Sequence, residues 1–217
     1  TQERQGACQG NALVENFEYC YTIQTNDVKQ FSRQYAYIAS QIEDGINGDK
    51  GSTLSGGTRV AKAGVCTEEV GPYHTNYPGH GYVTQAMRDD AKLYTLNSHT
   101  DLTAEEAIKA YIGSGLGIVQ IGIPWNRSMT PDQNGCIRSW SGGGGGGHSV
   151  VYAGYIPDAD IGQRSRRGYW YLLKNSWDVT WGVNGWAFVD ADVIAQQLTH
   201  QWSVFIGRSD MVSPKPR

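Results

Sequence analysis

The apolar residues of the first sixty positions recur at helical spacing. Leu13, Phe17 and Tyr21 fall at i, i+4 and i+8, and Phe31, Tyr35, Ile38 and Ile42 continue that spacing in a second segment. A third helical stretch is expected from Leu54 to Ala63, stopped by Gly64. From Gly71 to Gly81 the sequence GPYHTNYPGHG is punctuated by Gly, Pro and Asn, which predicts a loop separating two halves. Thr103-Ala104-Glu105-Glu106 reads as a capping box that opens a short helix through Ala107, Ile108 and Tyr111, with Gly113 able to end it.

Beyond that helix the pattern changes period. Ile118 to Ile123, Ser149 to Tyr155, Tyr169 to Lys174, Gly185 to Val189 and Trp202 to Ile206 are short runs rich in β-branched or aromatic residues, the signature of strands. The expected class is α+β. A mainly helical N-terminal lobe of about residues 1–100 faces a mainly β C-terminal lobe of residues 101–217, in one domain.

Composition removes several function classes. A net charge of -3 over 217 residues offers no basic field for nucleic acid, and local basic clusters such as Arg164-Ser165-Arg166-Arg167 are short. No run of about 18 apolar residues exists to span a bilayer, and the first ten residues lack the features of a signal peptide. The expectation is a soluble chain whose compartment, secreted or cytoplasmic, stays open. Four cysteines, Cys8, Cys20, Cys66 and Cys136, are too sparse for a disulfide scaffold and form no Cys-x-x-Cys pair, so no metal or other cofactor is expected. Cys20, Cys66 and Cys136 read as packing residues, and Asn126-Arg127-Ser128 as a glycosylation sequon that matters only in a eukaryotic secretory setting.

Chemistry enters with three residues that need only meet in space. A nucleophile requires a base within hydrogen-bond reach and a third group to orient the base. Cys8 precedes the first amphipathic helix, whose positive end favours a thiolate. His148 follows the run Gly142 to Gly147 at the start of a strand candidate, and Asn175 lies in Lys174-Asn175-Ser176-Trp177.

The set GAC before a helix, HSVVYAGY, and YWYLLKNSWDVTWGVNGW resembles the papain-like cysteine peptidases. Ser32 to Tyr37, Gly51 to Leu54, Gly64 to Glu69 and Pro72-Tyr73 resemble bacterial members of that family in order and spacing. The resemblance implies a two-lobe fold with a β-barrel-like C-terminal lobe and an active-site cleft between the lobes. It implies Cys8 as nucleophile, His148 as proton partner, Asn175 as orienting residue and Gln2 as oxyanion donor, with Trp177 shielding the His148 and Asn175 pair. It further implies that Gly51, Ser52, Thr53, Gly146, Gly147 and Ser149 border the substrate. The partners implied are peptide or protein substrates, with a pro-segment or protein inhibitor besides.

A second register is open at the N-terminus. Aligning Gln5-Gly6-Ala7-Cys8 with the family's earlier Gln-Gly-Ser-Cys puts Asn11 at the nucleophile and makes the protein an inactive homologue that binds peptides. The register with Cys8 as nucleophile is favoured, because Cys8-Gln9-Gly10-Asn11-Ala12 resembles the sequence of some bacterial members and keeps the triad whole. A transpeptidase or ligase on the same fold is a further alternative. Departures from the family pattern are Asp178 for the usual glycine, Gln9 for the usual aromatic, and Gln5 for a cysteine that in many relatives forms a disulfide.

Overall fold

A computed structural model describes residue 2 and residues 4–214, which fall into two compact units: Thr1–Thr100 with Arg208–Arg217, and Asp101–Gly207. In the first unit the helices are α1 (Cys8–Thr25), α2 (Arg33–Asp44), α3 (Leu54–Ala63) and α4 (Gln85–Ala91), followed by strand β1 (Thr95–Asp101). Local chemistry sets their ends. Ser32 caps α2 by accepting a bond from the Tyr35 N–H, and Gly45 closes it in the left-handed region at φ 68°. Thr53 caps α3 by accepting from the Gly56 N–H at 3.0 Å, and Gly64 ends it at φ 110°.

Apolar periodicity becomes packing in this unit. Leu13, Phe17 and Tyr21 of α1 bury against Phe31, Tyr35, Val65, Tyr94 and Leu96, with the Phe31 and Tyr94 rings edge to face at 5.1 Å. The two long helices approach closely at Gly10, where an added Cβ would lie 2.6 Å from the Tyr37 nitrogen.

The second unit contains α5 (Glu105–Gly113), β2 (Val119–Pro124), β3 (Cys136–Ile137), β4 (Gly147–Pro157), α6 (Asp158–Ile161), β5 (Tyr169–Lys174), β6 (Trp186–Asp190) and α7 (Ala191–Leu198), and takes in the first residues of β7 (Val204–Val212). The strand order there is β7-β2-β4-β5-β6-β3, and β1 neighbours β7. Pairing is antiparallel between β2 and β4, β2 and β7, β4 and β5, and β5 and β6, and parallel between β3 and β6. A core of Ile121, Val150, Tyr152, Tyr171, Leu173, Val189 and Ile194 lies under this sheet. The register pairs Ile123 with His148 and Pro124 with Gly147, so the base stands opposite the end of β2.

Three expectations are corrected. The loop expected from Gly71 to Gly81 is irregular as far as Gly79, enters a 3-10 helix at His80–Tyr82, and lies inside the first unit rather than between the two units. Thr103 does not cap α5, whose N-cap is Ala104 with no side-chain bond. Glu105 is buried instead, bonded to the Tyr169 hydroxyl at 2.7 Å and to the Tyr171 hydroxyl, and this tertiary pull displaces the helix start by one residue. Residues 208–214 return to the first unit, where the Arg208 guanidinium donates to the Thr58 hydroxyl at 2.9 Å.

Candidate active site

In the first unit Cys8 is the opening residue of the 18-residue helix α1 and is partly exposed. A helix of that length presents partial positive charge at its N-terminus, which favours a thiolate there. The other three cysteines are buried free thiols of a different kind. Burial pushes Cys20 and Cys66 each up to about 12, and raises Cys136 as well, so all three stay protonated near neutral pH. Asn11, the residue the other register would make the nucleophile's counterpart, lies one turn inside α1. It is 4% exposed, and its amide donates to the Ala7 carbonyl at 2.9 Å.

Gln2 donates from Nε2 to the Gln5 carbonyl at 3.2 Å, and its own carbonyl accepts from the Tyr73 hydroxyl at 2.8 Å. Gly51, at φ 82°, donates its N–H to the Tyr37 hydroxyl at 3.2 Å. Ser52 donates to Gln9 Oε1 at 2.8 Å. Thr53 is engaged structurally: its hydroxyl caps α3 and donates to Asp44 Oδ1 at 2.9 Å.

In the second unit His148 and Asn175 meet. His148 Nε2 lies 2.9 Å from Asn175 Oδ1, and the residues are 8% and 5% exposed. Asn175 has no donor proton on that oxygen, so Nε2 carries the hydrogen and Nδ1 is the ring's second working atom. The same oxygen accepts from the Ser176 N–H at 2.8 Å, while Asn175 Nδ2 is buried without a partner among the described residues. Burial pulls the His148 pKa down to about 4, opposed by the Asn175 bond.

Aromatic rings enclose the imidazole. Trp177, 39% exposed, lies tilted over it at 5.1 Å between centroids, and Trp125 meets it edge to face at 4.8 Å. Trp125 also contacts Trp177 at 5.6 Å and Trp181 at 6.1 Å. Trp125 has no motif around it to single it out. Its place follows from β2 pairing with β4, which carries the residue after Pro124 to His148.

The glycine run is ordered against the same tryptophan. Trp125 N–H donates to the Gly146 carbonyl at 2.9 Å, Asn126 Nδ2 donates to the Gly143 carbonyl at 2.9 Å, and a Cβ at Gly145 would fall 1.5 Å from the Trp125 carbonyl oxygen. Asn126 of the sequon is thereby tied into the loop. At Gly146 and Gly147, both exposed, an added Cβ would meet no protein atom within 4 Å. Ser149 is 2% exposed and donates to the Ile121 carbonyl at 2.8 Å, which turns its hydroxyl into the sheet. Asp178 accepts from the Thr180 N–H at 2.9 Å, so its carboxylate organises the turn that leads to Trp181.

Among the described residues no group of three or more His, Cys, Asp or Glu could hold a metal ion, and no helix is long and apolar enough to cross a membrane.

Comparison with known proteins adds the lineage. Falcipain-3 of Plasmodium falciparum (isolate 3D7) is 25% identical over 191 residues, covering 86% of this chain and 37% of the relative. Peptidase 1 of Psoroptes ovis is 26% identical over 193 residues, covering 86% of this chain and 55% of the relative. The chain therefore spans little more than a third to just over half of these relatives' lengths. Among solved structures, xylellain, a cysteine protease from Xylella fastidiosa, matches with a TM-score of 0.77 at 19% identity over 100% of this chain and 82% of its own. The bromelain protease of Ananas comosus matches with a TM-score of 0.67 at 16% identity over 96% of this chain and 91% of its own. Likeness at that identity establishes a papain-like α+β fold. The model of the papain family of cysteine proteases matches residues 1–204, and the chain belongs to that family.

Proposed function

We propose that this chain is a cysteine peptidase, akin to the bacterial members of its family, that hydrolyses peptide bonds through Cys8, His148 and Asn175. The observation that carries the reading is the buried bond between His148 Nε2 and Asn175 Oδ1. It fixes the ring's tautomer, with the hydrogen on Nε2, and so leaves Nδ1 as the atom that would serve the nucleophile. Burial alone leaves the imidazole neutral at pH 7, since its pKa falls to about 4. A thiolate at Nδ1 supplies the opposite charge that holds the proton, so thiol and imidazole act as one titrating pair.

In the reaction the Cys8 thiolate attacks the scissile carbonyl carbon and a C–S bond forms, while the carbonyl π electrons move onto oxygen. The Cys8 backbone N–H and the Gln2 side-chain amide donate to that oxyanion, each donor worth about 3 to 4 kcal/mol in comparable sites. When the C–N bond breaks, the leaving amine takes the proton from His148 Nδ1, and a thioester remains. His148 then removes a proton from water as the hydroxyl attacks the thioester. Collapse releases the carboxylic acid and restores the thiolate and imidazolium. Trp125 and Trp177, with Trp181 packed behind them, keep water from the His148 and Asn175 pair, which strengthens it in a lower local dielectric.

Peptide or protein substrates run extended, their backbone alongside Gly51, Gly146 and Gly147, three positions that carry no side chain of their own. A pro-segment or protein inhibitor would occupy the same positions. Ser52 borders this path, whereas Thr53 and Ser149 serve the fold with hydroxyls already engaged. The inactive-homologue reading is disfavoured by the burial of Asn11. The test is hydrolysis of a peptide library by the intact chain and by Cys8→Ala and His148→Ala: loss of cleavage in both variants supports the reading, and cleavage by Cys8→Ala ends it. Product analysis with and without an added amine separates hydrolysis from transpeptidation.

A further inference from the structure

Residues Gln34, Tyr37 and Gln41 of α2 lie at i, i+3 and i+7, on one face, and all three are fully buried. A polar stripe on a buried helix face demands partners, and the partners here are the segments flanking Cys8 and Gly51. Gln34 and Gln5 exchange a reciprocal pair of amide bonds, Nε2 to Oε1 at 2.9 and 3.2 Å. The Tyr37 hydroxyl donates to Asp49 Oδ1 at 2.7 Å and accepts from the Gly51 N–H at 3.2 Å. Asp49 Oδ1 also accepts from the Gly6 N–H at 2.8 Å. Gln41 Nε2 donates its two hydrogens to the carbonyls of Gly48 and Gly51 at 2.8 and 2.9 Å and lies 3.1 Å from the Tyr37 hydroxyl.

The two flanking segments touch. A Cβ on Gly6 would lie 2.8 Å from the Gly51 nitrogen, so only glycine permits the contact. A single residue, Ala7, separates Gly6 from Cys8, and the Gly51 backbone is the first-unit edge assigned above to the substrate. We infer that Tyr37 and Asp49 are positioning residues that lock the approach to the nucleophile and the substrate-bearing backbone at Gly51 into one register, with Gln41 completing the lock. Tyr37 holds the Gly51 edge and Asp49 holds the strap at Gly6, and the shared bond between them couples the two. The inference rests on the peptidase reading.

Its test is a kinetic split in three variants, Asp49→Ala, Asp49→Asn and Tyr37→Phe, each checked for folding by thermal denaturation. Displacement of a nucleophile by a fraction of an ångström up to 1 Å costs about 10- to 100-fold in rate. Asp49→Ala is expected to lower kcat about 10-fold or more and to slow alkylation of Cys8 by iodoacetamide, while Asp49→Asn, which keeps an acceptor oxygen, restores most of both. Tyr37→Phe is expected to raise KM several-fold for an extended peptide, with little change for a minimal substrate too short to reach Gly51. A purely structural role would lower thermal stability without the split and without rescue by asparagine. Active wild-type protein with kcat and KM unchanged in folded Asp49→Ala and Tyr37→Phe overturns the inference alone. Wild-type protein that cleaves nothing and leaves Cys8 unalkylated overturns the peptidase reading, and the inference with it.

Discussion

Replacing Asn175 by alanine tests how much of the machinery depends on the orientation of one ring. Asn175 Oδ1 accepts two bonds, from His148 Nε2 and from the Ser176 N–H, and both donors are left in a site where the asparagine itself is 5% exposed. When His148 carries its second proton, the bond is charge-assisted and worth about 1.5 to 3 kcal/mol. At 1.36 kcal/mol per factor of ten, its loss lowers kcat/KM by about 13- to 160-fold. Stability changes less, because the substitution also removes the unpartnered Nδ2, whose burial costs about 1 to 3 kcal/mol. The Asn175 bond holds the His148 proton affinity up, so the alkaline limb of the pH profile moves to lower pH in the variant. Steady-state kinetics from pH 4 to 10, with thermal denaturation alongside, read all three effects. Folded Asn175→Ala with kcat/KM within about twofold of wild type, and an unmoved alkaline limb, would refute the reasoning.

Gly145→Ala should disturb the site while Gly143→Ala should not: the Cβ at 145 collides with the Trp125 carbonyl, and the Cβ at 143 meets nothing within 4 Å. The expected readings are a several-fold fall in kcat with a lowered melting temperature for the first and wild-type values for the second. Gly207→Ala, whose Cβ would lie 2.5 Å from the Tyr111 ring, should destabilise the second unit by about 1 to 3 kcal/mol in denaturant unfolding. Cys8→Ala removes the thiolate proposed to pair with His148, so the unfolded chain takes up a proton near pH 6.5 that the folded chain refuses until about pH 4. Stability is then complete above pH 6.5 and falls by about 3 kcal/mol as pH drops toward 4. Equal stability of Cys8→Ala at pH 7 and pH 4.5 would contradict that burial effect.

Where local chemistry decided the outcome, the sequence was legible. Leu54 to Ala63 and Tyr169 to Lys174 match α3 and β5 at both ends, the helix because Thr53 caps it and Gly64 ends it. Strand β1, TLNSHTD, escaped notice because Leu96 is its one fully buried side chain, so it carries no alternation to read. Helix α4 buries Met87 and Ala91 alone, too little for a periodic signal. In the candidate site, Cys8, His148 and Asn175 stood out because GAC, HSVVYAGY and the stretch around KNSW together resemble a family pattern, whereas each residue alone would pass for a packing or turn residue. Trp125 did not stand out, since its role depends on the β2 and β4 register. Apart from the contact between Gln41 and Tyr37 one turn apart within α2, Gln34, Tyr37, Gln41 and Asp49 have partners 7 to 43 positions away along the chain, and only the fold brings them together.

The claim that Cys8 is the nucleophile is tested most directly by treating the folded protein with a thiol-reactive epoxide and mapping the adduct by peptide mass spectrometry. Cys20 and Cys66 are held up at about 12 by burial and Cys136 is raised too, so a single adduct on Cys8 is expected, lost in Cys8→Ala and strongly slowed in His148→Ala. An adduct on one of the buried cysteines, or folded protein with Cys8 unmodified, would contradict the account.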